Sequence, residues 1–162
     1  MDTEEKIATR KQEYWHLSTI AALIILADQI TKFFARDLLD LHIPVEVIPN
    51  FFNLTLVHNY GAAWGILQGF RIGFLILALA MSAVILVKHR AIFGIGKLAK
   101  CTAALLLGGI IGNAIDRAVF GYVTDFIDLW HGSYHFPCFN IADSAICIGV
   151  ALYFIISLKK SN

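Results

Sequence analysis

The sequence contains few charged residues. Only 15% of its 162 residues are Asp, Glu, Lys or Arg, whereas 58% are hydrophobic, and its mean hydropathy is +0.70. Soluble domains average about 25% charged residues, so a soluble globular fold is excluded. The net charge of +1 excludes intrinsic disorder, which requires low hydrophobicity and high net charge. It also argues against a nucleic-acid partner, because proteins that bind nucleic acids usually carry a basic face.

Cysteine is also scarce, and the common catalytic motifs are missing. The three cysteines, Cys101, Cys138 and Cys147, match neither a disulfide framework nor a metal-binding or redox motif, so we interpret them as small apolar residues. The chain has no Gly-x-Ser-x-Gly, His-Glu-x-x-His or Gly-rich phosphate loop. His131 and His135 lie four residues apart, but the nearby glycine, serine and proline disfavour a regular helix, so we predict no metal site.

Four stretches are apolar enough to cross a bilayer, whose core of about 30 Å needs about 20 apolar residues in a helix. They lie at about residues 16–36, 72–87, 98–119 and 141–158. The first could instead be a cleaved secretory signal ending at Ala27. However, Ile25 is bulky where a small residue is needed, and apolar helical character resumes at Ile30. We therefore predict a mainly α-helical integral membrane protein with one domain, residues 1–162, and four transmembrane helices.

The distribution of Lys and Arg predicts the orientation, since short cytoplasmic connections carry an excess of both. Most of these residues lie in the N-terminal segment, in the connection between the second and third spans, and in the tail, whereas most acids lie on the other side. We therefore expect both termini to be cytoplasmic. The outer segments, residues 37–71 and 120–140, contain runs of β-branched and aromatic residues, which predict a small β-sheet on the outer (periplasmic) membrane surface.

Several polar residues lie at the outer ends of the predicted spans, where they are energetically expensive. Asp28 and Lys32 lie four residues apart on one helical face, where they could form an anchoring ion pair. In the third span, Gly108 and Gly112 have the spacing that lets helices approach closely. These glycines are followed by polar residues that packing does not require, namely Asn113, Asp116 and Arg117.

Two more acids lie where the outer segments meet the membrane. Asp125 lies in a strand-like run, and Asp143 lies where the fourth helix begins. Taken separately, Asp125 could be a solvated carboxylate and Asp143 a helix cap. If they converge, two adjacent carboxyl groups share a proton and their pKa values separate. One could then activate a water molecule while the other protonates a scissile amide.

Five ordered blocks of the sequence resemble the lipoprotein signal peptidase family, also called signal peptidase II. They are residues 28–32, 59–64, 108–117, 123–126 and 139–144, and Trp64 stands where the family more often has phenylalanine. The resemblance implies an aspartic endopeptidase of the bacterial inner membrane that acts at the periplasmic face. The two-carboxylate mechanism needs no cofactor, and we expect a monomer. Its partners would be membrane lipids and lipid-modified prolipoproteins, which it would cleave just before the lipidated cysteine.

The resemblance also implies roles for individual residues. Asp125 and Asp143 would be the catalytic pair. The residues expected to support them or bind substrate are Asp28, Lys32, Asn59, Gly61, Asn113, Arg117 and Asn140. We expect Gly61 to be a hinge in an outer segment that bears Asn59 and Trp64 and could lie over the site. The residues expected to be structural are Gly108, Gly112 and Asp116.

Two other classes of protein remain as alternatives. A small four-helix transporter could use Asp28, Asp116 and Asp143 as a proton or cation path, because carboxylates within the membrane often line such paths. Its weakness is that the acids gather at one interface. A scaffold protein could use Gly108 and Gly112 to pack a partner helix, but this would not explain the asparagines and the paired acids.

Overall fold

The computed structural model describes residues 3–61 and 66–161. Its helices are α1 (Thr3–Leu38), α2 (Arg71–Phe93), α3 (Lys97–Val119) and α4 (Ile141–Ser161), and its strands are β1 (Val45–Ile48), β2 (Phe52–Asn59), β3 (Val123–His131) and β4 (Tyr134–His135). Each helix contains a segment long and apolar enough to cross a membrane. The predicted fold class, four such helices with a small sheet, is confirmed.

The central helix is α3, which packs against the other three helices and is the most buried of them. Glycines allow this close packing. A Cβ atom on Gly112 would lie 2.7 Å from Asp28 Oδ2 of α1, and one on Gly108 would lie 2.8 Å from Ile24 of the same helix. A Cβ atom on Gly109 would overlap the Ala142 carbonyl of α4. Helix α3 is therefore in direct contact with α1 and with the start of α4.

The second helix is longer than the apolar segment from which it was predicted. It continues past residue 87 to Phe93, although residues 88–90 are polar. His89 and Phe93 are both buried, and their rings pack edge-on against Tyr14 and Tyr153 respectively. Contacts with neighbouring helices thus extend α2 beyond the point where its hydropathy falls.

The four strands form one antiparallel sheet in the order β1-β2-β3-β4. Phe126 of β3 packs with Leu56 of β2 and Ala35 of α1 in a small apolar core. This core fixes the sheet against the C-terminal end of the first helix.

The sheet and the fourth helix are connected by a short, tethered segment. Phe139 pairs with Ile127 of β3, and its carbonyl accepts hydrogen bonds from the backbone N–H groups of Phe126 and Ile127 at 3.1 and 2.9 Å. Helix α4 begins two residues later. This connection places Asp125 of β3 and Asp143 of α4 near each other.

Candidate active site

Asp125 lies on β3 with only 1% of its surface exposed. Its Oδ1 accepts a hydrogen bond from Asn140 Nδ2 at 2.7 Å, and its Oδ2 accepts one from Asn59 Nδ2 at 3.0 Å. Burial and then the charge of Asp143 raise the pKa of Asp125 from 3.8 to about 7, although the two amides favour the charged form. A carboxyl group that exchanges its proton near neutral pH is suited to acid–base catalysis.

Asp143 lies in the first turn of α4, where it forms a capping box with Asn140. Asn140 Oδ1 accepts a hydrogen bond from the backbone N–H of Asp143 at 2.9 Å, and Asp143 Oδ2 accepts one from the backbone N–H of Asn140 at 3.3 Å. The helix-cap interpretation of Asp143 therefore applies to one of its oxygens. The other, Oδ1, accepts a hydrogen bond from Asn113 Nδ2 at 2.7 Å.

Asn140 connects the two aspartates. Its side-chain amide donates to Asp125, its backbone N–H donates to Asp143, and the residue is fully buried. The same Nδ2 atom lies 3.2 Å from Asn113 Oδ1 and 3.3 Å from the Thr124 carbonyl oxygen. Asn140 is thus held by α3 and β3, and it fixes one carboxyl group from the sheet relative to one from a helix.

Both aspartates line a cavity of about 820 Å³. Asn59, Asn113 and Arg117 line it as well, so five of the site residues expected from the sequence meet there. Most of the remaining wall is apolar and comes from β2, from the segment before α4 and from the first turns of α4. Ligand sites typically have volumes of about 300–1,000 Å³ and combine apolar walls with a few polar groups, as this cavity does.

A second polar cluster surrounds Lys32, which is fully buried. Its Nζ lies 2.9 Å from Asp28 Oδ2 and 3.4 Å from Asp116 Oδ2, and it donates to Asn113 Oδ1 at 2.9 Å. An ammonium group has three N–H donors, so each has an acceptor. Asn113 also donates to Asp143, and a single amide therefore links Lys32 with the cavity.

The two acids of this cluster also bind backbone on neighbouring elements. Asp28 Oδ1 accepts a hydrogen bond from the Ala142 N–H at 2.9 Å. Asp116 Oδ2 accepts one from the Thr124 N–H at 2.8 Å. Ala142 directly precedes Asp143, and Thr124 directly precedes Asp125. Each acid of the cluster therefore holds the residue before one aspartate of the cavity.

Gln29 belongs to the same cluster, and the sequence analysis missed it. Its Nε2 lies 3.1 Å from three acceptors, which are Asp28 Oδ2, the Gly112 carbonyl oxygen and Asp116 Oδ1. The available signal was an amide inside an apolar span, next to an acid. Arg36 was also missed: its Nη1 donates to Thr124 Oγ1 at 2.8 Å.

Arg117 connects three parts of the molecule at the other side of the cavity. Its Nη2 donates to the Gly61 carbonyl at 2.9 Å, and its guanidinium lies 4.7 Å from the centre of the Phe74 ring on α2. The Gly61 N–H in turn donates to Asn59 Oδ1 at 3.0 Å. Arg117 thus joins α3 and α2 to the segment that follows β2. Trp64, which was expected in that segment, lies outside the described residues.

Comparison with known protein families assigns the chain to one group. The family model described as signal peptidase (SPase) II matches residues 20–159. The lipoprotein signal peptidase of Syntrophotalea carbinolica is 45% identical over 139 residues, which cover 84% of this chain and 86% of that protein. The enzyme of the same name from Teredinibacter turnerae is 48% identical over 142 residues, which cover 82% and 81% of the two chains.

Two solved structures share this fold. A bacterial membrane enzyme determined by the in meso method at 2.3 Å resolution has a TM-score of 0.80 and 37% sequence identity, with 90% of this chain and 89% of that chain covered. A second one, determined at 1.9 Å, has a TM-score of 0.76 and 38% identity, with 90% and 94% covered. The similarity therefore extends over nearly the whole membrane domain.

Proposed function

The chain belongs to the signal peptidase II family and is a multi-pass membrane protease, and on this premise we propose that it is an aspartic endopeptidase with Asp125 and Asp143 as its catalytic pair. Its substrates are diacylglyceryl-modified prolipoproteins, and it cleaves just before the lipidated cysteine. The observation that carries the proposal is that one buried residue, Asn140, donates hydrogen bonds to both carboxyl groups where they line the cavity.

The mechanism follows from a pair of carboxyl groups that holds one proton. The ionised carboxylate removes a proton from a water molecule, whose oxygen attacks the carbonyl carbon of the scissile amide. The protonated carboxyl group donates its proton to the carbonyl oxygen, which gives a neutral tetrahedral intermediate. When the intermediate collapses, the C–N bond breaks, the amide nitrogen receives the proton that the dyad holds, and a hydroxyl group of the intermediate returns one proton to the dyad as it becomes the new carboxyl group. The new carboxyl and amino termini then leave, and the dyad again holds one proton.

The raised pKa of Asp125 supports this assignment. With a value of about 7, the group can hold or release a proton near neutral pH. Asn59 and Asn140 keep its two oxygens in place, while Asn113 does the same for Asp143. These amides act as positioning residues, because a preorganised pair loses little free energy in reaching the reactive geometry.

The other site residues have supporting roles in this proposal. Asp28 and Lys32 hold the outer ends of the helices together, and Asp116 with Gly108 and Gly112 maintains their packing. Arg117 holds Gly61, which acts as the hinge of the segment after β2.

The distribution of basic residues supports an orientation in which both termini are cytoplasmic. The sheet and the aspartate pair then lie at the periplasmic face of the inner membrane. A diacylglyceryl group in the outer leaflet would fix the substrate at that depth and bring the bond before its cysteine to the dyad. One chain carries all of these residues, so we propose that the monomer is the working unit.

The test is cleavage of a purified diacylglyceryl-modified prolipoprotein, with the new N-terminus identified by mass spectrometry. We expect the wild-type enzyme to release the signal peptide before the lipidated cysteine, and the Asp143→Asn variant to release none. Cleavage at another bond would contradict the proposed specificity, and full activity of the variant would contradict the dyad. No cleavage by folded wild type, together with proton flux in vesicles, would favour a transporter instead.

A further inference from the structure

Another aspartate with well-defined partners lies on the sheet, outside the proposed catalytic site. Asp128 of β3 is only 5% exposed. Its Oδ2 accepts hydrogen bonds from Thr55 Oγ1 at 3.0 Å and Asn53 Nδ2 at 3.4 Å, and its Oδ1 lies 3.1 Å from His135 Nδ1 on β4. The His135 ring also stacks on Trp130, with 9° between the ring planes. We call the Asp128–His135 contact the clasp.

The clasp lies at the start of a segment that separates two cavities. Phe136, Pro137 and Cys138 line the 820 Å³ cavity that contains the aspartate pair, and they also line a second cavity of about 500 Å³. Asp128 and His135 line only the second cavity. Residues 136–138, which we call the cavity wall, are therefore the partition between the clasp and the proposed catalytic site.

The backbone holds the wall mainly at its two ends. At its start, the Phe136 N–H donates to the Leu129 carbonyl at 2.8 Å, next to a strand β4 that has only two residues. Pro137 has no N–H to donate. Beyond the wall, Phe139 makes three backbone hydrogen bonds to β3, and these keep the following Asn140 in place whether or not the wall moves.

We propose that His135 is a positioning residue for substrate, which through the clasp fixes the cavity wall and so sets how tightly the prolipoprotein is bound. The proposal rests on the proposed function, because the wall borders the site where the scissile peptide would lie. Since Asn140 is held independently, loss of the clasp frees the wall but leaves the aspartate pair in its geometry. The clasp therefore acts on KM and not on kcat.

The first test compares the kinetics of three variants on the lipidated prolipoprotein. A hydrogen bond at a partly exposed site contributes modestly, so we expect His135→Ala to raise KM about fourfold with kcat nearly unchanged. His135→Asn places an amide N–H near the position of Nδ1 and should restore most of the affinity. His131→Ala is the matched control: this histidine lies on the same hairpin, contacts the Asn50 carbonyl at 3.4 Å and lines neither cavity.

Three results would overturn the proposal. These are an unchanged KM in His135→Ala, a lower kcat with an unchanged KM, and His135→Asn behaving like His135→Ala. If wild type cleaves normally while one of these results is found, only the clasp is wrong. If wild type does not cleave at all, the proposed function fails, and the clasp is then judged by a measurement that needs no substrate.

That measurement is the alkylation rate of Cys138 by a maleimide, read from its peptide by mass spectrometry. Cys138 belongs to the wall, and burial raises the pKa of its thiol to about 12, so it should react slowly in wild type. We expect His135→Ala to speed this reaction severalfold, and His131→Ala and His135→Asn to leave it near the wild-type rate. Equal rates in wild type and His135→Ala would show that His135 does not fix the wall.

Discussion

Asp28 and Asp116 lie in a closed cluster where both contact the Lys32 ammonium, whereas Asp125 and Asp143 line a cavity and receive hydrogen bonds from amides. All four are acids where the sheet meets helices α1, α3 and α4. In the cluster a buried cation compensates the negative charge. In the cavity the acids have neutral hydrogen-bond partners, and one of them has a pKa of about 7.

The acids of the closed cluster and the acids of the cavity therefore have different roles. Carboxyl groups beside the buried cation bind fixed partners, which here are the backbone N–H groups of Ala142 and Thr124. Uncompensated carboxyl groups can exchange a proton, as hydrolysis requires. Ala142 and Thr124 directly precede Asp143 and Asp125. The closed cluster therefore holds the aspartate pair in position.

The strongest test of this comparison makes the same substitution in both groups. We expect Asp125→Asn to reduce kcat more than about 1,000-fold, because an amide cannot exchange the proton. Asp116→Asn should instead lower the free energy of unfolding by about 3 kcal/mol, since it removes one partner of a buried ion pair. Cleavage rates and SDS-induced unfolding of both variants in detergent would measure the two effects. If both variants fold and lose kcat to a similar extent, the two groups of acids do not differ in role.

The second prediction concerns the cation that distinguishes the two groups. Lys32→Met leaves two buried carboxylates without their ammonium, so we expect a loss of about 3–5 kcal/mol in the free energy of unfolding. Lys97→Met is the matched control, because Lys97 is exposed at the start of α3 and should change stability by less than about 0.5 kcal/mol. Detergent unfolding followed by circular dichroism would measure both. A Lys32→Met protein as stable as wild type would show that the cluster does not stabilise the fold.

The third prediction uses the pKa of Asp125. Its value is about 7 in the folded protein against an ordinary 3.8, so the folded state binds this proton more tightly than the unfolded state does. The resulting stabilisation is fully present below pH 3.8 and is lost as the pH rises to about 7. We therefore expect the free energy of unfolding of wild type to fall over this window, and that of Asp125→Asn to fall less.

A pH series of unfolding curves for both proteins would measure this difference. Cleavage should decline above the same pH, because the dyad then loses its shared proton. Parallel stability curves for wild type and Asp125→Asn would contradict the raised pKa.

The sequence was sufficient to predict the fold class and to select the residues that meet at the cavity. The four helices follow from apolar length, and the sheet follows from β-branched and aromatic runs. Residues such as Asn113 and Arg117 could be selected because polar groups at membrane depth need a partner or a function. Both residues line the cavity, and their roles in catalysis are predictions.

The remaining features depend on tertiary contacts that leave little trace in the sequence. The support of the aspartate pair uses the backbone N–H groups of Thr124 and Ala142, and any residue except proline has such a group. The extension of α2 to Phe93 depends on burial against other helices. Asp128 and His135 are brought together by the pairing of β3 with β4, which the spacing of the histidines did not reveal.

The smallest expected effect concerns Asn59, whose amide donates to Asp125 at 3.0 Å and whose Oδ1 accepts the Gly61 N–H at 3.0 Å. The first bond favours the ionised carboxylate and lowers its pKa. Asn59→Ala should therefore raise the alkaline limit, which is the pH above which cleavage declines, and should lower kcat about tenfold. Asn59→Asp keeps an acceptor for Gly61 but places a like charge beside Asp125, so it should move the limit further in the same direction. Cleavage rates between pH 5 and pH 9 would measure both shifts. If both variants show the same pH dependence of cleavage as wild type, Asn59 acts only through Gly61, and its amide does not set the pKa of Asp125.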